Sequence, residues 1–205
     1  MKYELTDQTI RHNGRTLYRI KALKDFSDVA KDELGGFVES YDNLSQRNNC
    51  WIYRDAKVYD KAKVFGKAEV YGRAEVYNQA QIYGMAQIYG EAQIYGRAEV
   101  YDQAKVFGNA EVYYEAKICA NTIVCSDIKI PNTNDILFIN LARDITFYRC
   151  EDDIRCTIGC QHAITIEEFK ERIYKNGNYT EVTLPKHRKD YLLAIEFAKK
   201  YFRVD

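Results

Sequence analysis

From Ile52 the chain repeats apolar and polar positions with a period of six: IYRDAK VYDKAK VFGKAE VYGRAE VYNQAQ IYGMAQ IYGEAQ IYGRAE VYDQAK VFGNAE VYYEAK ICANTI VCSDIK. The first position is always Val or Ile, and the second is Tyr or Phe until Cys119. The third is usually Gly, Asp or Asn, and the fifth is Ala from Ala56 to Ala116. Ala and the Val that follows it are two residues apart, so in an extended strand they point the same way and the residue between them points the other way. That residue is Lys57, Lys63, Glu69, Glu75 and Gln81 in successive hexads, so the Ala and Val face is the buried one. The aromatic at the second position then also faces outward. Gly66, Gly72, Gly84, Gly90, Gly96 and Gly108 fit a corner that needs positive φ. Asp60, Asn78 and Asp102 fill the same slot, and Asn and Asp tolerate such angles best among the other residues. A strand of about four residues followed by a tight corner cannot make hairpins in this register; it predicts a solenoid.

The phase extends beyond the regular run. Val38, Leu44 and Cys50 sit six apart and in register with the alanines, so an irregular first coil is expected to begin near Gly35-Gly36. Forward, the phase runs through Thr122 and Ile128 until Pro131 and Asn132 break it. This places the coils over residues 37–131. Residues 1–36 read as a β-rich cap, with strands at Tyr3–Leu5 and Thr16–Ile20, a turn at His12-Asn13-Gly14, and a short helix or loop over Asp25–Glu33. A solenoid needs its open end covered, and this segment is expected to do so. Residues 134–205 read as a small α+β module. Its expected strands are Ile136–Ile139, Ile145–Tyr148 and Ile154–Ile158. Thr165-x-x-Glu168 is a capping box opening a helix from Ile166 to about Lys175, which Asn176-Gly177-Asn178 ends. A second helix runs from about Pro185 to Phe202, its apolar residues being Tyr191, Leu192, Ile195, Phe197, Ala198 and Phe202. The fold class is mainly β.

The hexads resemble the hexapeptide-repeat family, whose fold is a left-handed parallel β-helix with three hexads per turn. Handedness and turn size are what this resemblance implies. The departure is the aromatic second position, where the family more often has Gly, Ala, Asp or Glu. With three hexads per turn, residues 18 apart stack. Tyr53, Tyr71, Tyr89 and Phe107 form one ladder, Tyr59, Tyr77, Tyr95 and Tyr113 a second, and Phe65, Tyr83 and Tyr101 a third, with Cys125 and Cys119 ending the first and third. The stretch GGFVESYDNLSQRNNCWIYRDAKVY (35–59) resembles YdcK-like hexapeptide proteins of bacteria and phages, through Gly35, Gly36, Val38, Asn43, Leu44, Ser45, Gln46, Cys50, Trp51, Ile52 and Tyr53. The C-terminal stretch resembles a tail of phage and prophage repeat proteins through Gly159-Cys160, Thr165–Phe169 and Tyr191–Ala198. These resemblances imply a phage or prophage type of protein and a C-terminal module with no known chemistry.

Composition narrows the function classes. Lys plus Arg and Asp plus Glu both count 30 in 205 residues, so no strong field favours nucleic acid or membrane. Nucleic-acid stacking would need basic residues around the aromatics, and Lys57, Glu75, Gln93 and Glu111 give one face mixed charge. The N-terminus is polar, without the apolar core of a secretion signal, and no stretch approaches the ~18 apolar residues of a membrane span. Six cysteines in a chain this long do not make a disulfide framework, so the thiols are expected to be reduced and the protein cytoplasmic, in a bacterial host cell.

Acyltransferases of the hexapeptide family use a histidine as general base, and carbonic anhydrases of this fold hold zinc through three histidines. Here the histidines are His12, His162 and His187, so the coils supply none, and no looped-out insertion interrupts the hexads. No catalytic residue and no cofactor are expected. Cys150, Cys156, Cys160 and His162 form the one ligand-like group, but the Cys-x3-Cys-x-His spacing is not the usual zinc knuckle, and buried free cysteines are the plainer reading. The ladders have two readings: stacking that holds neighbouring coils together, or aromatic patches buried against a partner. The expectation is a non-catalytic binding or assembly protein, its partner a second copy in a dimer or trimer, a host protein, or both. A sharper form is an anti-CRISPR-like inhibitor of a bacterial defence system. The alternatives are an acyltransferase-like enzyme with an atypical site, using Cys119, Cys125 or a histidine of the terminal module, and a virion or tail component.

Overall fold

The computed structural model describes residues 1–150, 153–159, 161–174 and 185–204. The chain forms two compact units, Met1–Thr133 and Asn134–Asp205.

The first unit is a parallel β-solenoid of about five turns. Each hexad supplies one short strand, from Trp51–Ile52 to Lys129–Ile130. Each strand pairs in parallel with the strand 18 residues on: Trp51 opposite Glu69, Lys57 opposite Glu75, Lys63 opposite Gln81. Three sheets result, one per face. Every Ala from Ala56 to Ala116 and every Val or Ile from Ile52 to Ile118 at the first position is buried at 1% exposure or less. Small Ala at one end of the inward pair and β-branched residues at the other fill the narrow interior. The corner slot has positive φ throughout, as the glycine spacing predicts: 71° at Gly66, 57° at Asp60, 58° at Asn78 and 56° at Asp102. Coils stack tightly there; a Cβ at Gly84 would lie 2.7 Å from the backbone nitrogen of Asp102. Where the slot holds Asp, its carboxylate accepts the next coil's amide, from Asn78 N to Asp60 Oδ2 at 3.1 Å and from Ala120 N to Asp102 Oδ2 at 3.2 Å.

The first coil corrects the expected register. Val38 pairs with Val58 and Leu44 with Val64, so both take the Val position of the next coil and not the Ala position. By Ile52, opposite Val70, the offset is 18 again. Two extra residues are therefore absorbed between Leu44 and Ile52. The six-residue phase survived because a two-residue shift keeps the same face inward.

The N-terminal segment extends one face of the solenoid. Strand β1 (Tyr3–His12) pairs antiparallel with β2 (Arg15–Ala22). Both turn residues, Asn13 and Gly14, have positive φ, the requirement of a two-residue type I′ turn. A third strand, β3 (Leu34–Val38), pairs antiparallel with β2 and parallel with Lys57–Val58, joining hairpin and coils in one eight-stranded sheet. Gly36 allows this approach, since a Cβ there would meet Ala56 O at 2.5 Å. Asp25–Glu33 is a loop, in which Phe26 bridges Val29. Phe26 and Tyr3 pack edge-on against buried Trp51, with ring centroids 5.3 and 6.1 Å away.

The second unit is a four-stranded antiparallel sheet in chain order, Ile136–Ile139, Ile145–Arg149, Ile154–Ile158 and Gln161–Thr165, with helices α1 (Ile166–Tyr174) and α2 (Pro185–Phe202). The fourth strand is absent from the sequence expectation. It runs straight into α1, so no turn residues mark its end. The capping box is present: Glu168 N donates to Thr165 Oγ1 at 3.1 Å and Thr165 N to Glu168 Oε2 at 2.8 Å. Phe169 and Ile173 of α1 share one core with Tyr191, Ile195, Ala198 and Phe202 of α2. Phe197 falls off that stripe and is exposed. The expected stop at Asn176-Gly177-Asn178 lies outside the described residues. No described helix is long and apolar enough to cross a membrane.

Candidate interaction surface

Each ladder residue follows the inward Val or Ile of its strand and so emerges on the outside, just before the corner. Coil spacing then sets ring spacing. Tyr71 and Tyr89 stack at 5.0 Å and 1°, and Tyr89 and Phe107 at 4.7 Å and 6°. Tyr77, Tyr95 and Tyr113 stack at 5.0 and 5.1 Å. Phe65, Tyr83 and Tyr101 stack at 4.9 Å. Tyr53 meets Tyr71 edge-on, at 86°. The rings are half-buried, except Tyr59, which is fully buried.

The hydroxyls separate the ladders, which the sequence treats as equivalent. Two ladders spend most of theirs within the coils. Tyr59 donates to Glu75 at 3.1 Å, Tyr77 to Gln93 at 3.3 Å, Tyr95 to Glu111 at 2.9 Å and Tyr83 to Glu99 at 2.9 Å, in each case 16 residues ahead. Burial and then the carboxylate hydrogen bond push Tyr83 and Tyr95 above the ordinary phenol value. The Tyr101 phenol is pushed up to about 12, first by its hydrogen bond with Cys119 and then by burial. The carboxyls move the other way: Lys117 and then Tyr83 hold Glu99 low, and Lys129 holds Glu111 low. In the ladder Tyr53, Tyr71, Tyr89, Phe107, Tyr53 donates to Asp28 of the N-terminal loop at 2.8 Å. The Tyr71 and Tyr89 hydroxyls have no hydrogen-bond partner among the described residues.

The N-terminal hairpin closes over the start of the second ladder. Leu17, Phe37 and Tyr59 form a small buried cluster. His12 Nε2 lies 2.9 Å from Glu75 Oε2, while Lys57 Nζ lies 3.1 Å from Glu75 Oε1. Burial opposes ionisation of Glu75, but the hydrogen bonds from His12 and Lys57 outweigh it and hold the carboxyl below its ordinary value. Asn13 Nδ2 donates to the Tyr59 hydroxyl at 3.3 Å, and Arg15 pairs with Asp60. The coils contain no histidine in sequence, yet the fold brings one to them. The partners are 63 residues apart, and no local spacing signals the pairing.

The other candidates are dispersed or occupied. Cys125 is buried, and Cys119 is half-buried beside Tyr101. In the second unit Cys156 sits in the apolar core, where burial pushes its thiol up to about 12. Cys150 is half-buried, His162 is exposed, and Cys160 lies outside the described residues. Among the described residues no three His, Cys, Asp or Glu side chains gather as metal ligands would. His187 lies 3.9 Å from Asp190. A shallow open trough of about 940 Å³ follows one corner, past Asp60, Asn78, Arg97 and Tyr114. Most of its charges are paired, Arg97 with Glu115 at 3.0 Å and Arg15 with Glu39 at 3.4 Å, while Lys61 also lines it. Compared with models of known families and with curated proteins, the sequence matches none.

Proposed function

We propose that this chain is a non-catalytic binding or assembly protein that docks a protein partner on the ladder Tyr53, Tyr71, Tyr89, Phe107, and that its first partner is a second copy of itself. The supporting observation is the unspent hydroxyls of Tyr71 and Tyr89 on stacked, half-buried rings. A tyrosine offers a large apolar face and a polar tip at low entropic cost, which is why it is enriched at interfaces. Rings fixed by the coil pitch lose little further freedom on binding. A two-fold contact would set the same ladder against itself. The period of six and the three-faced solenoid support placing the chain with left-handed hexapeptide-repeat proteins. Resemblance to YdcK-like and phage proteins supports a phage or prophage type acting in the bacterial cytoplasm, and the rigid surface suits an inhibitor of a defence nuclease. Nitration of the native protein, read residue by residue, tests the docking face. Tyr71 and Tyr89 should be protected at high protein concentration and react on dilution; equal reaction at both concentrations rejects the self-contact.

One observation favours a second reading. His12 beside Glu75 is an imidazole oriented by a carboxylate on the coil surface, the pairing a general base uses. It supports an acyltransferase-like enzyme with an atypical site. Calorimetry with acetyl-coenzyme A distinguishes the two: micromolar binding lost in His12→Ala supports the enzyme and sinks the first reading.

A further inference from the structure

We propose that Lys2 Nζ and Cys50 Sγ are a covalent modification site: under oxidation they join through a sulfur–nitrogen bond that fastens the N-terminal strand to the first coil. The two atoms lie 3.3 Å apart. Lys2 is 2% exposed and Cys50 is 0% exposed, so each has the other as a fixed neighbour. The ammonium is aimed by donation to Cys50 O at 2.7 Å and Asn48 O at 3.4 Å, and it lies 5.2 Å from the Phe26 ring centroid. A buried lysine is costly, and burial is the largest influence here, lowering the Lys2 value. That favours the neutral amine, whose lone pair is the nucleophile. Burial likewise raises the Cys50 thiol. Both shifts favour the uncharged pair, and with Nζ and Sγ 3.3 Å apart inside the fold neither group is spent on solvent.

The chemistry needs a two-electron oxidant of the peroxide class. The Cys50 sulfur first attacks the peroxide O–O bond, which breaks to give a sulfenic acid and one water. Sulfenic acids are captured by a thiol or by a nearby nitrogen. The Lys2 Nζ lone pair attacks Sγ, the S–N bond forms, and the S–O bond breaks. The departing hydroxide takes a proton from Nζ and leaves as a second water. In sum, thiol, amine and peroxide give the S–N link and two waters; sulfur is oxidised by two electrons and the peroxide is reduced by two. Met1, next to Lys2, is 75% exposed, and local opening of the backbone there admits a small neutral oxidant. The link would close β1, β2 and β3 into one covalent loop and so restrict the unfolded chain.

The test treats the folded full chain with hydrogen peroxide, digests it, and reads the peptides by mass spectrometry. A joined pair carrying Lys2 and Cys50 is expected, lighter than the sum of its parts by two hydrogens (about 2 Da), with tryptic cleavage after Lys2 lost. Dithiothreitol should release it. The oxidised protein should melt at a higher temperature, and reduction should abolish the gain. Cys50→Ala and Lys2→Arg should each abolish the joined peptide; the second keeps N–H donors for the Cys50 and Asn48 carbonyls, and circular dichroism confirms that each variant is folded. Cys50 oxidised to unlinked sulfinic acid overturns the proposal. So does a link that forms equally fast in the urea-unfolded chain.

Discussion

Truncating Tyr89 to Ala removes the middle ring of a stack, with Tyr71 at 5.0 Å on one side and Phe107 at 4.7 Å on the other. Each such aromatic contact contributes about 0.5–1.5 kcal/mol beyond its area. The ring is not fully buried, so the transfer loss is a fraction of the full value, about 1 kcal/mol. The expected destabilisation is therefore about 2–4 kcal/mol. Tyr89→Phe keeps both stacks and removes a hydroxyl with no described partner, so it should change stability by under about 0.5 kcal/mol. Tyr83→Phe gives up the hydrogen bond to Glu99 and should cost about 0.5–1 kcal/mol, at the low end because the pair is partly solvated. Urea unfolding followed by far-ultraviolet circular dichroism gives the ordering. Hydrogen exchange at the Tyr89 amide, bonded to Val106 O at 3.0 Å, locates it. If Tyr89→Ala costs less than about 0.5 kcal/mol with that amide still protected, the stacked rings do not hold the coils together.

The corner slot gives predictions of opposite sign. Gly84→Ala, at φ 68° with backbone 2.7 Å from the new Cβ, should cost about 2 kcal/mol or more. Ala120→Gly, at φ 55°, should be neutral or stabilising by up to about 1 kcal/mol in the same urea assay. Lowered carboxyls at Glu99 and Glu111 favour the native state above the unfolded glutamate value of about 4.3; that contribution is lost as pH falls through their lower native values, and salt should blunt it. Raised phenols at Tyr83 and Tyr95 act in the other direction, with stability falling as pH climbs above the unfolded value of about 10, readable as midpoint against pH. Thr165→Ala removes the hydroxyl half of the capping box, while the backbone N–H that donates to Glu168 stays, and should cost the second unit about 1 kcal/mol, with exchange rising at the Glu168 amide.

The coils are legible because one hexad encodes two requirements at once. The Ala and Val spacing states which side is buried, and Gly, Asp or Asn in the third position states where φ turns positive. The Asn-Gly turn and the Thr165 capping box are legible for the same reason, since each places a local backbone demand on a specific residue type. What the sequence hides is pairing over distance. That β3 joins the hairpin to the Lys57–Val58 strand depends on Gly36, whose role is clear only once Ala56 lies against it. The slip at Val38 and Leu44 is invisible because a shift of two preserves the inward face. His12 and Glu75 meet through the tip of a hairpin, and Gln161–Thr165 ends in a helix cap instead of a turn. The ladders themselves are visible as a spacing of 18, but the difference among them rests on hydroxyl partners, which spacing does not encode.

The proposed docking face is tested most directly by light scattering on the native chain and on Tyr89→Arg after size-exclusion separation. One chain weighs 24.0 kDa. The account predicts a whole multiple of that mass for the native protein and 24.0 kDa for the variant, with circular dichroism showing the solenoid intact. A native protein that remains at 24.0 kDa at high concentration contradicts it.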